Sequence, residues 1–407
     1  MKTLSLMILA SISVSALFAE NWHQFRGPSG MGVAEGEVPT RWNKDSVAWQ
    51  ISLPGEGQSS AINWGPKLFV TTASQEGRMR TLLCLDKDSG KIIWRRDVES
   101  DRKESQHKMN SWATPSAATD GTRVVAFFGP GGIHCYDMEG EKLWSKDLGQ
   151  FPGNWGVAAS PVILGDQVIQ NCDAIGPSRL ISLDKKTGNV IWETKREDKP
   201  RGGWSTPVFI ETKGSPQLVL NGEFGAKGYD PAKGKELWFC KSFNGRGSPV
   251  PFHSNGLIYV VNGKPGDLYV VDPNGSGDIT KTNMAWHAKR NGGRDLPSPA
   301  VIGDFVLVTA MGGVTTCYDA KTGKTHWVDR LDGAFSGSPL ISNGLYYIQN
   351  ETGVSYVVRP NKKALEILSR NDLGASKDEI FRATLSPIDG KVFTRSQATL
   401  YCLNGEI

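Results

Sequence analysis

The residue types that could ligate a metal, cross-link or act as nucleophiles are six histidines (His23, His107, His134, His253, His287, His326) and six cysteines. No two histidines stand at the spacings that bring a pair of imidazoles to one metal. His134, His287 and His326 lie in or beside apolar strand runs and read as packing or surface residues. No glycine-rich phosphate loop opens a helix, and no nucleophile elbow or Ser-His-Asp arrangement can be drawn. Cys84, Cys135, Cys317 and Cys402 recur two residues before an Asp or its equivalent, a place held elsewhere by Ser182 and Val271. That recurrence marks a small apolar position on a buried strand face. Equivalent positions in separate repeats are too far apart for the Cα separation of under about 7 Å that a disulfide needs, so free thiols are expected. Cys172 and Cys240 fall outside the pattern, and whether they pair is left open.

Binding chemistry is better represented. Asn110 and Trp112, Asn154 and Trp155, Arg201 and Trp204, with Arg246, Arg294 and Arg382, fall in segments of variable length between regular runs. Trp and Arg are the types most enriched at binding hot spots, and Arg matches a carboxylate bidentately. Trp112, Trp204 and Arg246 each stand three residues before a proline, so the three are expected at one register, pointing towards a common axis. Two roles are open for these tryptophans: contacts for a partner, or plugs packed between repeats.

The elements that position them come from a repeat. "LLCLDKDSGKIIW", "IHCYDMEGEKLW", "LISLDKKTGNVIW", "AKGYDPAKGKELW" and "TTCYDAKTGKTHW" end at Trp94, Trp144, Trp192, Trp238 and Trp327, and a copy with an insertion ends at Trp286. With Trp49 the tryptophans lie 41 to 50 residues apart. That period, with four short strands in each, predicts a β-propeller. In each copy an Asp bonds the turn that follows it and a Gly supplies positive φ. The tryptophan then fills the gap to the next repeat. Ser/Thr-Pro pairs (Thr114-Pro115, Ser160-Pro161, Thr206-Pro207, Ser248-Pro249, Ser298-Pro299, Ser338-Pro339) open the innermost strands. With two further innermost strands beginning near Ser59 and Phe381, the count gives an all-β fold of eight blades of four antiparallel strands. The seventh blade lacks its tryptophan, with Ile367 or Leu368 expected in its place, and the eighth lacks an outer strand. Val47–Leu53, carrying Trp49, is expected to supply that strand by pairing with Ala398–Leu403, which closes the ring.

These copies resemble the PQQ-like propeller family, which includes PQQ-dependent alcohol dehydrogenases and the BamB-type envelope scaffold. The resemblance covers residues 47–407, and "NWHQFRGPSGMGV" with "LPGEGQSS" is similar to a subgroup of secreted bacterial members. It implies two function classes. The enzymes of the family hold PQQ against a disulfide between adjacent cysteines, with a calcium ion; here no two cysteines are adjacent, and the chain carries little beyond the propeller. The expectation is therefore a non-catalytic binding scaffold with no cofactor. A PQQ- and calcium-dependent oxidoreductase is the alternative, and a carbohydrate- or anion-binding module is a third reading.

Residues 1–19 read as a signal peptide: Lys2, an apolar run from Leu4 to Phe18, and a cut after Ala19. Residues 20–46 form a leading segment before the propeller at 47–407. The run is short for a membrane span and no cysteine sits at the cut, so an exported or periplasmic protein without a lipid anchor is expected. The net charge of +4 is small and dispersed, which argues against nucleic acid. The expected partner is an envelope protein or peptide, or a small anionic ligand, met by a monomer.

Overall fold

The computed structural model describes residues 21–176, 178–196, 200–241, 246–263, 266–290, 294 and 296–407, so the expected leader at 1–19 lies outside the described residues. Runs such as Leu82-Leu83-Cys84-Leu85 are fully buried, which suits a strand covered on both faces. The turns that end them follow from side-chain chemistry. Asp86 accepts bonds from the Ser89 N–H and hydroxyl at 2.8 and 2.6 Å, and Gly90 follows at φ 70°. Asp184 with Thr187 and Asp319 with Thr322 repeat the arrangement. Each turn joins the third and fourth strands of an antiparallel sheet, and eight such sheets form an eight-bladed β-propeller.

One row of residues runs through every blade from axis to rim. In blade 1 it is Ile62, Phe69, Cys84 and Trp94; in blade 6 it is Ala300, Leu307, Cys317 and Trp327. Each row cysteine thus sits opposite a rim tryptophan. In blade 5 Val270 faces Trp286, rather than the Val271 expected above, because Val270 is the residue that stands two before Asp272. The rim tryptophans reach the next blade. The indole N–H of Trp94 donates to Met138 O at 3.0 Å, Trp144 to Lys185 O at 2.9 Å, Trp286 to Ala320 O at 3.0 Å and Trp327 to Asn361 O at 2.9 Å. Trp49 and Trp192 do the same to Lys87 O and Pro231 O at 3.2 and 3.1 Å. Trp238 instead donates to Gln217 Oε1 of its own blade, and Gln217 relays the link to Pro273 O of blade 5. The insertion in blade 5 explains the exception: Gly277–Asp278 lies parallel to the strand of Trp238 as a fifth strand.

The ring closes as the sequence predicts. Val47–Ser52 pairs antiparallel with Thr399–Leu403, Trp49 faces Cys402, and the Leu53 N–H reaches Ala398 O at 2.7 Å. The seventh blade differs from expectation. Its register sets Ser369, not Ile367 or Leu368, opposite Val357 at the rim, because the turn between its third and fourth strands is two residues longer than that of blade 6; Ile367 is exposed. The Ser369 hydroxyl donates to Thr40 O, and the Trp42 N–H donates to Asn371 Oδ1 at 3.1 Å. Trp42 is buried in the same cluster as Val357 and Leu403, so the leading segment brings its own tryptophan to the blade that lacks one.

That segment also closes the underside of the axis. Trp22 exchanges bonds with Asn63 of blade 1, and His23 O accepts from Thr119 of blade 2. Met31 Sδ meets the His253 N–H of blade 5, and Val33–Ala34 pairs parallel with Ile341–Ser342 of blade 7. Arg26, at φ 63°, is buried and spends its guanidinium on the carbonyls of Gly30, Met31 and Pro339; burial lowers its pKa to about 9. Above it, hydroxyls tie adjacent blades. The N–H of Ser60 donates to Ser116 Oγ, Ser116 to Ser160, Ser160 to Thr206, Val250 to Ser298, Ser298 to Ser338, and Thr384 back to Ser60, at 2.8 to 3.1 Å. Each such bond adds on the order of 1 kcal/mol.

Candidate functional site

The chain enters each innermost strand from one face, and the residue four places before the row described above points to the axis. Those residues are Gln58, Thr114, Ala158, Trp204, Ser248, Leu296, Ser336 and Arg382, one from each blade, and all eight line one axial cavity. Its volume is about 150 Å³ and Phe25 of the leading segment forms its floor. The expected register of Trp112, Trp204 and Arg246 is thereby corrected. Trp204 faces the axis, but Thr114 and Ser248 hold the equivalent places in blades 2 and 5. Pro115 and Pro249 stand two residues earlier relative to the strand pairing than Pro207 does, which carries Trp112 and Arg246 outward.

Trp112 packs flat on Gly77, where a Cβ would lie 2.5 Å from the ring, and its indole donates to Glu104 O at 3.1 Å. It is absent from the cavity wall. Asn110 lines the cavity and braces the loop: its amide donates to Trp155 O and Val157 O at 2.7 and 3.2 Å. Asn154 is exposed on the rim. Arg201 is ion-paired with Glu223. Arg382 holds Glu351 at 2.9 and 3.3 Å and donates to Lys108 O at 2.9 Å.

Trp155, Trp204, Arg246 and Arg294 come together. The Trp155 ring meets Trp204 edge-on at 6.4 Å, and the guanidinium carbons of Arg246 and Arg294 lie 5.2 and 5.3 Å from the Trp155 centroid. Cation–π contacts of this kind contribute about 0.5–2 kcal/mol. Among the described residues no carboxylate forms an ion pair with Arg246 or Arg294, in contrast to Arg201 and Arg382. The local field is positive. Burial first, then the charges of Arg246 and Arg201, lowers the pKa of Arg294; burial, then Arg294, Lys108, Arg382 and Arg246, lowers that of His107.

His107 and Met109 are site residues that the sequence reading missed. They lie in the connection from blade 1 to blade 2. His107 lies against Trp155 with ring centroids 4.4 Å apart and planes tilted by 39°, Met109 Sδ touches Arg294 at 3.8 Å, and Lys108 O accepts from Arg382. This loop therefore touches the blade 3 approach, blade 6 and blade 8, and it spans the mouth as a roof. Nothing periodic signals it. The wall residues, however, could have been found by counting back from the first hairpin turn of each blade (Asn255-Gly256, Gly303-Asp304, Asn343-Gly344) instead of from proline.

All six cysteines are free and buried, including Cys172 and Cys240. Burial pushes the Cys84 and Cys317 thiols up to about 12, so neither is a thiolate nucleophile at neutral pH. No group of three His, Cys, Asp or Glu suited to a metal occurs among the described residues, and no helix among them is long and apolar enough to cross a membrane.

Residues 34–207 and 265–394 match the family model described as outer membrane protein assembly factor BamB. No curated protein matches the chain. Among solved structures, BamB from Moraxella catarrhalis is 15% identical, with TM-score 0.63 over 88% of this chain and 96% of that one. The quinohemoprotein alcohol dehydrogenase from Comamonas testosteroni is 12% identical, with TM-score 0.69 over 95% and 81%. A computationally designed protein, Ika8, is 14% identical, with TM-score 0.61 over 87% and 98%. A scaffold, an enzyme and a design sharing one fold leave function to the site.

Proposed function

Because the chain belongs to the family of the outer membrane protein assembly factor BamB, we propose that it is a non-catalytic binding propeller of the cell envelope, exported by residues 1–19. Its mouth face engages an anionic group of a protein or peptide partner. The observation that carries this reading is Trp155 flanked by Arg246 and Arg294, two guanidinium groups without a carboxylate partner among the described residues. A desolvated aromatic beside arginines is the usual make-up of a hot spot. Asn154 and Arg201 flank it as rim contacts, and Trp204 meets it edge-on from the cavity wall.

The donor set suits the quinoprotein alternative poorly. Calcium takes six to eight oxygen ligands with carboxylates among them, and no Asp or Glu lines the cavity among the described residues. The family's adjacent cysteines are also missing from the sequence. The test compares native-envelope pull-downs with the wild-type chain and with the Arg246→Ala, Arg294→Ala double variant. One partner retained by the first and lost by the second, with equal melting temperatures, is the expected result. A stoichiometric quinone absorption band after addition of PQQ and calcium, with dye-linked alcohol oxidation, would overturn the proposal in favour of the enzyme.

A further inference from the structure

We propose that the axial cavity beneath the mouth is a site for a small monocarboxylate with an apolar body, of about the size of benzoate. The inference rests on the binding reading above and shares Arg294 and Trp155 with it, but adds the ring of wall residues below them. The cavity is partly open: Phe25 lies at its base, one residue from each blade around it, and His107, Met109 and Asn110 on the mouth side. Its volume of about 150 Å³ matches a cavity known to accept benzene in another protein.

Charge sets the ligand class. Two guanidinium groups line this cavity, those of Arg294 and Arg382. Glu351 neutralises Arg382. Arg294 has only the Trp155 face and the Met109 sulfur as described partners, and a thioether is a weak acceptor. One uncompensated cation facing the cavity calls for one negative charge. A carboxylate satisfies its fork of donors as no neutral group can.

The remaining wall supports an apolar body rather than a second charge. Phe25, Val250, Leu296 and Trp204 supply apolar surface. The hydroxyls of Ser60, Ser298 and Ser338 are already engaged in the ties between blades.

The experiment is isothermal titration calorimetry of the full-length protein with sodium benzoate and with benzamide, its neutral isostere. Saturable binding of one benzoate per chain is expected, with benzamide at least about tenfold weaker, as loss of a charge-assisted bond implies. Arg294→Gln should weaken benzoate by about the same factor. Ala158→Leu, which fills the cavity from the wall without touching an arginine, should abolish binding while leaving the melting temperature and the envelope pull-down unchanged. Equal binding of benzamide and benzoate, or full benzoate affinity in either variant, overturns the site. Absence of benzoate binding alongside an intact, Arg246- and Arg294-dependent pull-down removes this inference alone. Loss of both removes the mouth-face reading as well.

Discussion

A single rim tryptophan does two separable things. The Trp144 ring is buried against the turn of the next blade, so closely that a Cβ at Gly188 would lie 2.7 Å from it, and its N–H satisfies Lys185 O at 2.9 Å. Trp144→Phe keeps most of the packing and leaves that carbonyl unpaired, so a loss of about 1 kcal/mol is expected. Trp144→Ala also opens a cavity and should cost about 3–5 kcal/mol. Urea denaturation of both variants checks the split; equal losses would mean that the ring's packing contributes little. A carboxylate at the next turn gives a pH signature. Burial opposes the charge of Asp120, but donors from Thr122, the Arg123 N–H and Lys185 outweigh it and hold the carboxyl at about 2. An unfolded Asp titrates near 3.9. The folded pKa is the lower one, so the contribution is complete above about pH 4 and fades as pH falls towards 2. Melting curves of wild type and Asp120→Asn should therefore converge between pH 4 and 2; a constant gap over that range would refute the assignment.

At the scale of the strand and loop, legibility in the sequence followed the local chemistry. The Asp turns, the glycines and the rim tryptophans are fixed by bonds within a few residues, and they announced eight blades and the closing strand. Register across a blade is not a local property. Proline marks the approach to an innermost strand but not its first paired residue, so Trp112 and Arg246 were set two places too near the axis. The rim position of blade 7 was missed for a related reason. Its occupant, Ser369, is unremarkable in the sequence because the aromatic that serves the blade arrives from far away in the chain, as Trp42. Trp42→Ala should therefore destabilise the fold like a rim tryptophan, by about 3–5 kcal/mol, whereas an exposed aromatic in an irregular segment would cost about 0.5 kcal/mol or less. Thermal melting distinguishes the two. In the loop between blades 1 and 2 the sequence pointed to Asn110 but not to His107 or Met109, whose contacts are with residues of other blades.

The whole molecule is a ring whose last blade is completed by its own beginning, and that sets how it should fail. Each blade is bound to its neighbours by rim tryptophans and axial hydroxyls, and the junction of blades 8 and 1 uses the same devices: Trp49 to Lys87 O, and Thr384 with Ser60. What differs is the covalent route, because the fourth strand of blade 8 is Val47–Ser52. Deleting residues 21–53 removes that strand, uncovers the backbone donors and acceptors of Thr399–Leu403, and takes Trp42 from blade 7 and the floor from the axis. An uncovered strand edge templates association. The truncated chain is expected to oligomerise or lose its cooperative melting transition. Deleting only 21–34 is a different lesion: the floor residues and the parallel pair Val33–Ala34 with Ile341–Ser342 are lost, but the ring edge stays covered. That form should remain a monomer with a lowered melting temperature. Light scattering after size exclusion, together with thermal melting, separates the two outcomes. A monomeric 21–53 deletion with unchanged melting would show that closure by the first strand is dispensable. Oligomers from both truncations would assign the protection against association to the axial segment rather than to the rim strand.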